Sequence, residues 1–483
     1  MSSLLSRVVK NKVVLYMTTR YVTYALQFVT SMIIAFKLGP DLFGVWSFLL
    51  MLINFFNIFD LGISNSLNVL LVQDRDNPAL ANTHTKSALF ITGLLCLLVA
   101  VIYGMVSLVH PAIIAKYDAQ QYLICVFLVV VMAYFNKMFA AIYRVNNRLL
   151  EISIFQSAIP VALFVAIVVF KADVWYLIIA YLIGCLIALS IFLANRKITF
   201  SGAFDRKDVP VVAGKGFWLF LYNSAFYFIL YTSSFLVSVY YPRMEYGKYN
   251  FAYTISHAVI LLIDAFGYII FPKMIMKLKE QDKTVSEKAI DRIRGDYISL
   301  VYLLIFLAVP VISIVTQFVP KYSDTGKVIS LAAITLLPYA NCFGINTFLI
   351  AQNKEKILSY ISMGCLVFNI AVTFVCINVF DIPYEFVYMP IMVSYILYTL
   401  FCSLVVLHYL DKDTRFFRVL LYAFPLETIL PFVAYLMLIV TNHFSQGWTF
   451  IPLALYALCN NKGLLRMWNS IKTIVYKPDI VDI

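Results

Sequence analysis

Charge is what this sequence is short of. Asp, Glu, Lys and Arg make up 13% of its 483 residues, while 62% are hydrophobic. A soluble domain carries about 25% charged residues, so this chain has too few polar side chains to cover a water-facing surface. Disorder and a coiled coil fail on the same ground. The eight cysteines (Cys96, Cys125, Cys185, Cys342, Cys365, Cys376, Cys402 and Cys459) sit in or beside apolar runs and form no C-x-x-C pair. That removes disulfide, metal and redox readings and leaves packing. No G-x-x-x-x-G-K-[ST], H-E-x-x-H or G-x-S-x-G occurs, so no P-loop ATP site, zinc-protease helix or hydrolase elbow is present. Outer loops of about 12 residues at most offer no platform for a membrane polymerase or glycosyltransferase. No cofactor and no metal site is expected, and the chain is read as a non-enzyme.

What is present is long apolar runs, too continuous for the alternating segments of a β-barrel. They predict an all-α polytopic membrane protein with spans at 13–36, 45–72, 87–109, 121–143, 152–170, 175–194, 217–239, 251–272, 297–318, 328–350, 358–379, 387–409, 424–441 and 447–461. The net charge of +12 invites a nucleic-acid reading, but its placement argues for topology. With these spans, 28 of the 37 basic residues lie on the side of the termini and 7 lie opposite. By the positive-inside rule both termini are cytoplasmic. The remaining two, Arg20 and Lys137, fall inside helices.

An internal repeat is visible. Phe43-Gly44-Val45-Trp46-Ser47-Phe48 and Tyr246-Gly247-Lys248-Tyr249-Asn250-Phe251 both read aromatic-Gly-x-aromatic-polar-Phe, 203 positions apart. Asp60 and Asp264 follow at 204, and Asn147-Arg148 and Asn353-Lys354 at 206. Six spans per unit make this a parallel repeat. It predicts an N-lobe over 1–203, a C-lobe over 204–412, and a C-terminal helix pair with a cytoplasmic tail over 413–483. Each repeated glycine is expected to permit a tight outer turn, and the polar stretch 195–216 to join the lobes.

Four charged groups stand out within predicted spans, Arg20, Asp60, Lys137 and Asp264, while Glu427 sits near the inner end of its span. At the bilayer centre such a group costs about 2.5–3.5 kcal/mol, so it usually faces a partner or a cavity. The bland reading is mutual neutralisation, for example Arg20 with Asp60. Helix 45–72 also carries Asn54, Asn57, Ser64, Asn65 and Asn68, which with Asp60 span about 140° of helical arc. Helix 217–239 carries Asn223, Tyr227, Tyr231, Ser234 and Ser238. These stripes either glue helices together or line a hydrated cavity. His257, seven residues before Asp264, offers a protonation relay along one helix face. His84, His110 and His443 are read as loop residues.

The stretch Arg20-Tyr21, Gln27-Phe28, Leu38-Gly39-Pro40, Phe43-Gly44-Val45-Trp46 and Phe59-Asp60-Leu61-Gly62-Ile63-Ser64-Asn65 resembles the N-terminal signature of bacterial polysaccharide exporters. More narrowly, it is similar to O-antigen (Wzx-type) flippases of the multidrug/oligosaccharidyl-lipid/polysaccharide exporter superfamily. The resemblance implies a MATE-like, V-shaped pair of six-helix lobes with alternating access. It implies a location in the bacterial inner membrane and an undecaprenyl-pyrophosphate-linked repeat unit as substrate. Arg20 and Lys137 would then meet the pyrophosphate. Asn54, Asn57, Asp60, Ser64, Asn68, Asn223, Tyr227, Tyr231 and Ser234 would line the cavity. Asp60, Asp264 and His257 would couple an ion gradient. Besides the substrate, membrane lipids are expected partners, and other polysaccharide assembly proteins are candidates; ATP and nucleic acid are not. The alternatives are a multidrug or organic-cation exporter on the same fold, which an acid-rich cavity would favour, and a glycan polymerase, which short outer loops disfavour.

Overall fold

In hydrocarbon a peptide group finds a partner only within the protein, and a helix supplies one locally. In the computed structural model the described residues are 12–74, 77–146, 148–194, 204–215, 217–258, 283–317, 320–441 and 448–476. Among them every regular element is helical. Among the described residues nine helices are long and apolar enough to cross a membrane, and the pair Phe416–Ala423 and Leu426–Val440, bent by 79°, makes a candidate tenth. The expected all-α polytopic class is borne out. The chain clusters into two compact units: unit 1 is Met1–Ser224 with Pro242–Gly247, and unit 2 is Ala225–Tyr241 with Lys248–Ile483.

Unit 1 opens with α1 (Lys12–Ile58), which merges the first predicted span with the start of the second across a kink at Gly39, φ 74°. Pro40 is tolerated there because the first residue of a helix needs no N–H partner. The predicted second span is itself broken. Leu61 and Gly62 take positive φ, and α2 (Ile63–Gln73) starts afresh. The conformational freedom of Gly62 makes this break inexpensive. α3 (Pro78–Val109) begins nine residues before the predicted start. Asn77 caps it by accepting from the Leu80 N–H at 3.2 Å, and Pro78 takes the first turn. His84 is therefore a buried helical residue and not a loop residue.

The unit continues through α4 (Leu123–Val145), α5 (Leu149–Gln156), α6 (Ala158–Val169) and α7 (Val174–Ala194) to α8 (Val209–Lys215). Its core includes Leu67, Ala88, Met138, Phe139, Tyr143, Phe155, Phe192 and Val212. The rings of Tyr143, Phe155 and Phe192 meet edge to face at 5.0–5.9 Å, a favoured aromatic geometry.

α9 (Phe217–Tyr240) and α10 (243–258) contribute to both units. The rest of the predicted span 251–272, Asp264 included, lies outside the described residues. Unit 2 then holds α11 (Lys283–Gln317), α12 (Gly326–Asn341), α13 (Phe343–Ala351), α14 (Glu355–Asn378) and α15 (Tyr388–Tyr409). After them come α16 (Phe416–Ala423), α17 (Leu426–Val440), α18 (Ile451–Cys459) and α19 (Asn461–Tyr476). The last predicted span, 447–461, contains only the short apolar helix Trp448–Cys459. At 1.5 Å per residue it falls short of a hydrocarbon core of about 30 Å.

Arg294, which lies between the predicted spans 251–272 and 297–318, is 4% exposed. It donates to the Asn341 carbonyl at 3.0 Å and to those of Tyr422 and Ala423 at 2.5 Å. One guanidinium thus satisfies the last carbonyls of two helices, α12 and α16, where a cation is favoured.

The repeated glycines do not sit in turns. Both are helical, and within unit 1 a Cβ on Gly247 would collide with the Pro40 carbonyl, one on Gly44 with that of Arg243. Glycine is needed at this place for close backbone approach. The guanidinium of Arg243 pairs with Asp41 at 2.6 Å and Asp118 at 2.9 Å beside it. Gly247→Ala is expected to destabilise the detergent-purified protein by about 1–3 kcal/mol, the usual cost of overpacking. Gly104→Ala, in open space, should leave thermal unfolding unchanged or slightly improved. Equal melting of the two variants would refute the packing role.

Candidate functional site

Within unit 1 a cavity of about 390 Å³ opens between the two arms of α1 and helices α4 to α7. Arg20 comes from the first arm, and Asn54 and Asn57 from the second. Along a straight helix Arg20 and Asn54 would be about 51 Å apart; the kink at Gly39 lets both line one chamber. Asn136 and Lys137 enter from α4 and Gln156 from α5. The rings of Trp46 and Tyr181 also line the cavity, 6.5 Å apart. The charged side chains in the lining are the two cations, Arg20 and Lys137.

Their partners differ. Arg20 Nη1 donates to Gln156 Oε1 at 2.8 Å, and its guanidinium lies 5.3 Å from the Tyr24 ring centroid. Its partner is thus a neutral amide rather than Asp60, as mutual neutralisation would have required. Lys137 Nζ donates to the Asn57 carbonyl and lies 3.9 Å from Asp60 Oδ2. Asp60 in turn accepts from the Gly62 N–H and the Ser64 hydroxyl, both at 3.0 Å. Tyr134 donates to the Phe56 carbonyl at 2.8 Å. Lys137 therefore serves a carbonyl at the end of α1, Tyr134 adds a second bond to the Phe56 carbonyl, which also accepts from the Phe59 N–H at 2.9 Å, and Asp60 orders the turn into α2. Three polar atoms of cavity residues, Thr30 Oγ1, Asn57 Oδ1 and Asn136 Oδ1, are buried with no hydrogen-bond partner. Buried polar groups are nearly always bonded, and these three are exceptions.

The structure thus gathers Arg20, Lys137, Asn54 and Asn57, with Asp60 and Ser64 joined through Lys137. Asn68, on the far side of the helix break, does not line the cavity. The break is the physical reason: the single-face stripe required one continuous helix. In the C-terminal stripe, Asn223 belongs to unit 1, and Tyr227 is 40% exposed. Tyr231 bonds Tyr253, and the Ser234 hydroxyl donates to Asn250 Oδ1 at 3.4 Å. His257 stacks on Tyr253 with centroids 5.0 Å apart. A polar strip between α9 and α10 results. The proposed relay from His257 to Asp264 ends outside the described residues. Among the described residues no cluster of His, Cys, Asp and Glu could hold a metal ion.

The sequence reading missed Gln156, Asn136, Trp46 and Tyr181. Gln156 and Asn136 carried a usable signal, each being an amide inside an apolar run. The rings carried none, because aromatic residues are common throughout the chain.

A family model described as polysaccharide biosynthesis protein matches residues 9–277, more than half of the chain. The chain belongs to the polysaccharide biosynthesis protein family. Its fold is that of MATE transporters. A multidrug resistance MATE family transporter of the MOP superfamily, solved facing inward, aligns with a TM-score of 0.67 at 11% identity, covering 83% of this chain and 98% of its own. A mutant MATE transporter from Vibrio cholerae aligns at 0.58 and 15% identity, covering 86% and 99%. A MATE protein in a bent conformation aligns at 0.58 and 13%, covering 82% and 93%. No curated protein matches the chain. Family, fold and the long apolar helices make this member of the polysaccharide biosynthesis family a multi-pass membrane protein.

Asp60→Ala is expected to lower stability by about 1–3 kcal/mol, because the Gly62 N–H, the Ser64 hydroxyl and the part-exposed Lys137 ammonium lose their acceptor. Lys137→Met alone should cost a similar amount. The double variant should cost less than the sum, because the two share one interaction. Thermal unfolding of the four proteins gives the coupling, and additive losses would rule the pair out.

Proposed function

We propose that the chain is a flippase. It moves an undecaprenyl-pyrophosphate-linked O-antigen or polysaccharide repeat unit from the cytoplasmic to the periplasmic leaflet of the bacterial inner membrane, by alternating access, in lipopolysaccharide biosynthesis. The observation that carries this reading is the unit 1 cavity, whose charged lining is cationic. A guanidinium held by an amide, in surroundings of low dielectric, favours an anionic ligand and donates strong charge-assisted hydrogen bonds to phosphate oxygens. The other wall groups are amides, hydroxyls and the Trp46 and Tyr181 rings, which suit sugar hydroxyls and the apolar faces of sugar rings.

On this reading Arg20 holds the pyrophosphate first. Lys137 joins when a proton on Asp60 weakens their ion pair, so Asp60 links ion entry to headgroup binding. Asn54 and Asn57 take part of the glycan. Asn223, Tyr227, Tyr231 and Ser234 serve the C-terminal part of its path, and His257 with Asp264 offers a second protonation point. The polyprenyl tail stays in lipid. Without a P-loop, the energy comes from an ion gradient or from removal of the product. An organic-cation exporter would need acids in the lining, and the described cavity presents cations.

The test compares Arg20→Ala and Arg20→Lys with wild type in a strain deleted for the chain, at matched membrane abundance. Loss of about 1.5–3 kcal/mol of charged hydrogen bonding predicts a fall in export of about tenfold to a hundredfold for alanine. Lysine should restore part of it. Lipid-linked units should accumulate on the cytoplasmic side. Undiminished surface polysaccharide in Arg20→Ala would overturn the site, and unpolymerised units outside the deleted strain would indicate a polymerase.

A further inference from the structure

A second enclosed titratable cluster of unit 1 lies apart from the cavity. His84, in the second turn of α3, has a side chain only 4% exposed. Its Nδ1 lies 2.8 Å from Asp208 Oδ1 and its Nε2 lies 3.1 Å from Asp74 Oδ2. Asp74 ends α2, and Asp208 immediately precedes α8. Helix α8 lies in the connector that leads out of the N-terminal bundle toward α9. It is seated against α2 and α3, where Val212 enters the core and Val209 packs on it. Three stretches of chain thus meet on one imidazole ring.

Each ring nitrogen faces a carboxylate oxygen, so each contact needs a proton between the two atoms. A neutral imidazole with two carboxylates supplies one. The cluster closes only when it carries one proton more, whichever atom holds it; without that proton, one contact sets lone pair against lone pair. Asp208 has little to fall back on, since its side chain is 8% exposed and its Oδ2 is buried with no hydrogen-bond partner. Other charges on the surrounding elements are Lys86 on α3, Arg144 on α4, and Asp205, Arg206 and Lys207, which are exposed on the connector. The structure places Asp74 and Asp208 against the ring itself.

We propose that His84, Asp74 and Asp208 form a proton-dependent latch that holds the connector helix α8 on the N-terminal bundle and releases it when the shared proton is lost. The connector is then not a passive tether. Its docking follows the local proton concentration, independently of what the cavity carries.

Hydrogen exchange of the full-length protein in lipid nanodiscs tests the latch directly, reading residues 205–215 as protection factors so that the intrinsic pH dependence of exchange cancels. In wild type, protection of this segment should fall about tenfold from about pH 6 to about pH 9, while that of α4 stays constant. His84→Gln, whose one amide nitrogen cannot donate to both carboxylates in this geometry, should show low protection at both ends. Asp208→Asn supplies its own N–H to the ring, so the neutral imidazole suffices. That variant should stay protected at both ends, a result that loss of fold would not give. Wild-type protection that does not change with pH, His84→Gln protection equal to wild type, or a wild-type-like fall in Asp208→Asn would each overturn the latch. The measurement does not involve transport, so its outcome is separate from that of the flippase assignment.

Discussion

A polar group withdrawn from water into this bundle has to find its partner within the protein. That single requirement accounts for the placement of most of the unusual residues. Where α1 stops short at Ile58, two of its last carbonyls are taken by the Tyr134 hydroxyl and the Lys137 ammonium. Where α12 and α16 end, one buried guanidinium, Arg294, takes carbonyls from both. Helix ends carry partial negative charge at their carbonyl side, so cations are suited to both places. Lys137 and Arg294 inside the protein therefore mark helix discontinuities.

Arg20 stands apart from this pattern. Its partners are a side-chain amide and an aromatic face, neither of which is a helix end or a carboxylate. Of the two cavity cations, it is Lys137 that has a carboxylate, Asp60, within 4 Å among the described residues. The contrast with Lys137 divides labour between two residues that look alike in the sequence: one holds a broken helix together, the other faces the chamber. Asp60 touches both the lysine and the turn into α2, so it belongs with Lys137 and not with Arg20.

Much of the candidate site was legible because hydrocarbon makes polar residues conspicuous. Arg20, Lys137, Asn54 and Asn57 were visible as interruptions of apolar runs, and all four line the cavity. Asp60, Ser64 and Asn68 fall outside the lining of this cavity, because helical periodicity does not carry across Gly62, where the chain changes direction. His84 and Arg294 were hidden for the opposite reason. Each lies in a stretch already rich in polar residues, where an ionisable side chain looks solvated, and only packing shows it to be buried. The repeated glycines were recognised but misread, since a glycine that permits a turn and one that permits backbone contact look the same in one dimension.

The sequence by itself determined the class of molecule: an apolar, charge-poor chain can only be a membrane bundle, and its N-terminal pattern marked the polysaccharide exporter family. It also named the ionisable residues that needed an explanation. Tertiary structure decided which of them meet. The kink at Gly39 folds one helix onto a single chamber, and the break at Gly62 turns Asp60 toward Lys137 instead of Arg20. Such pairings depend on where helices bend and cross. Those are properties of packing between distant segments, and no local periodicity encodes them.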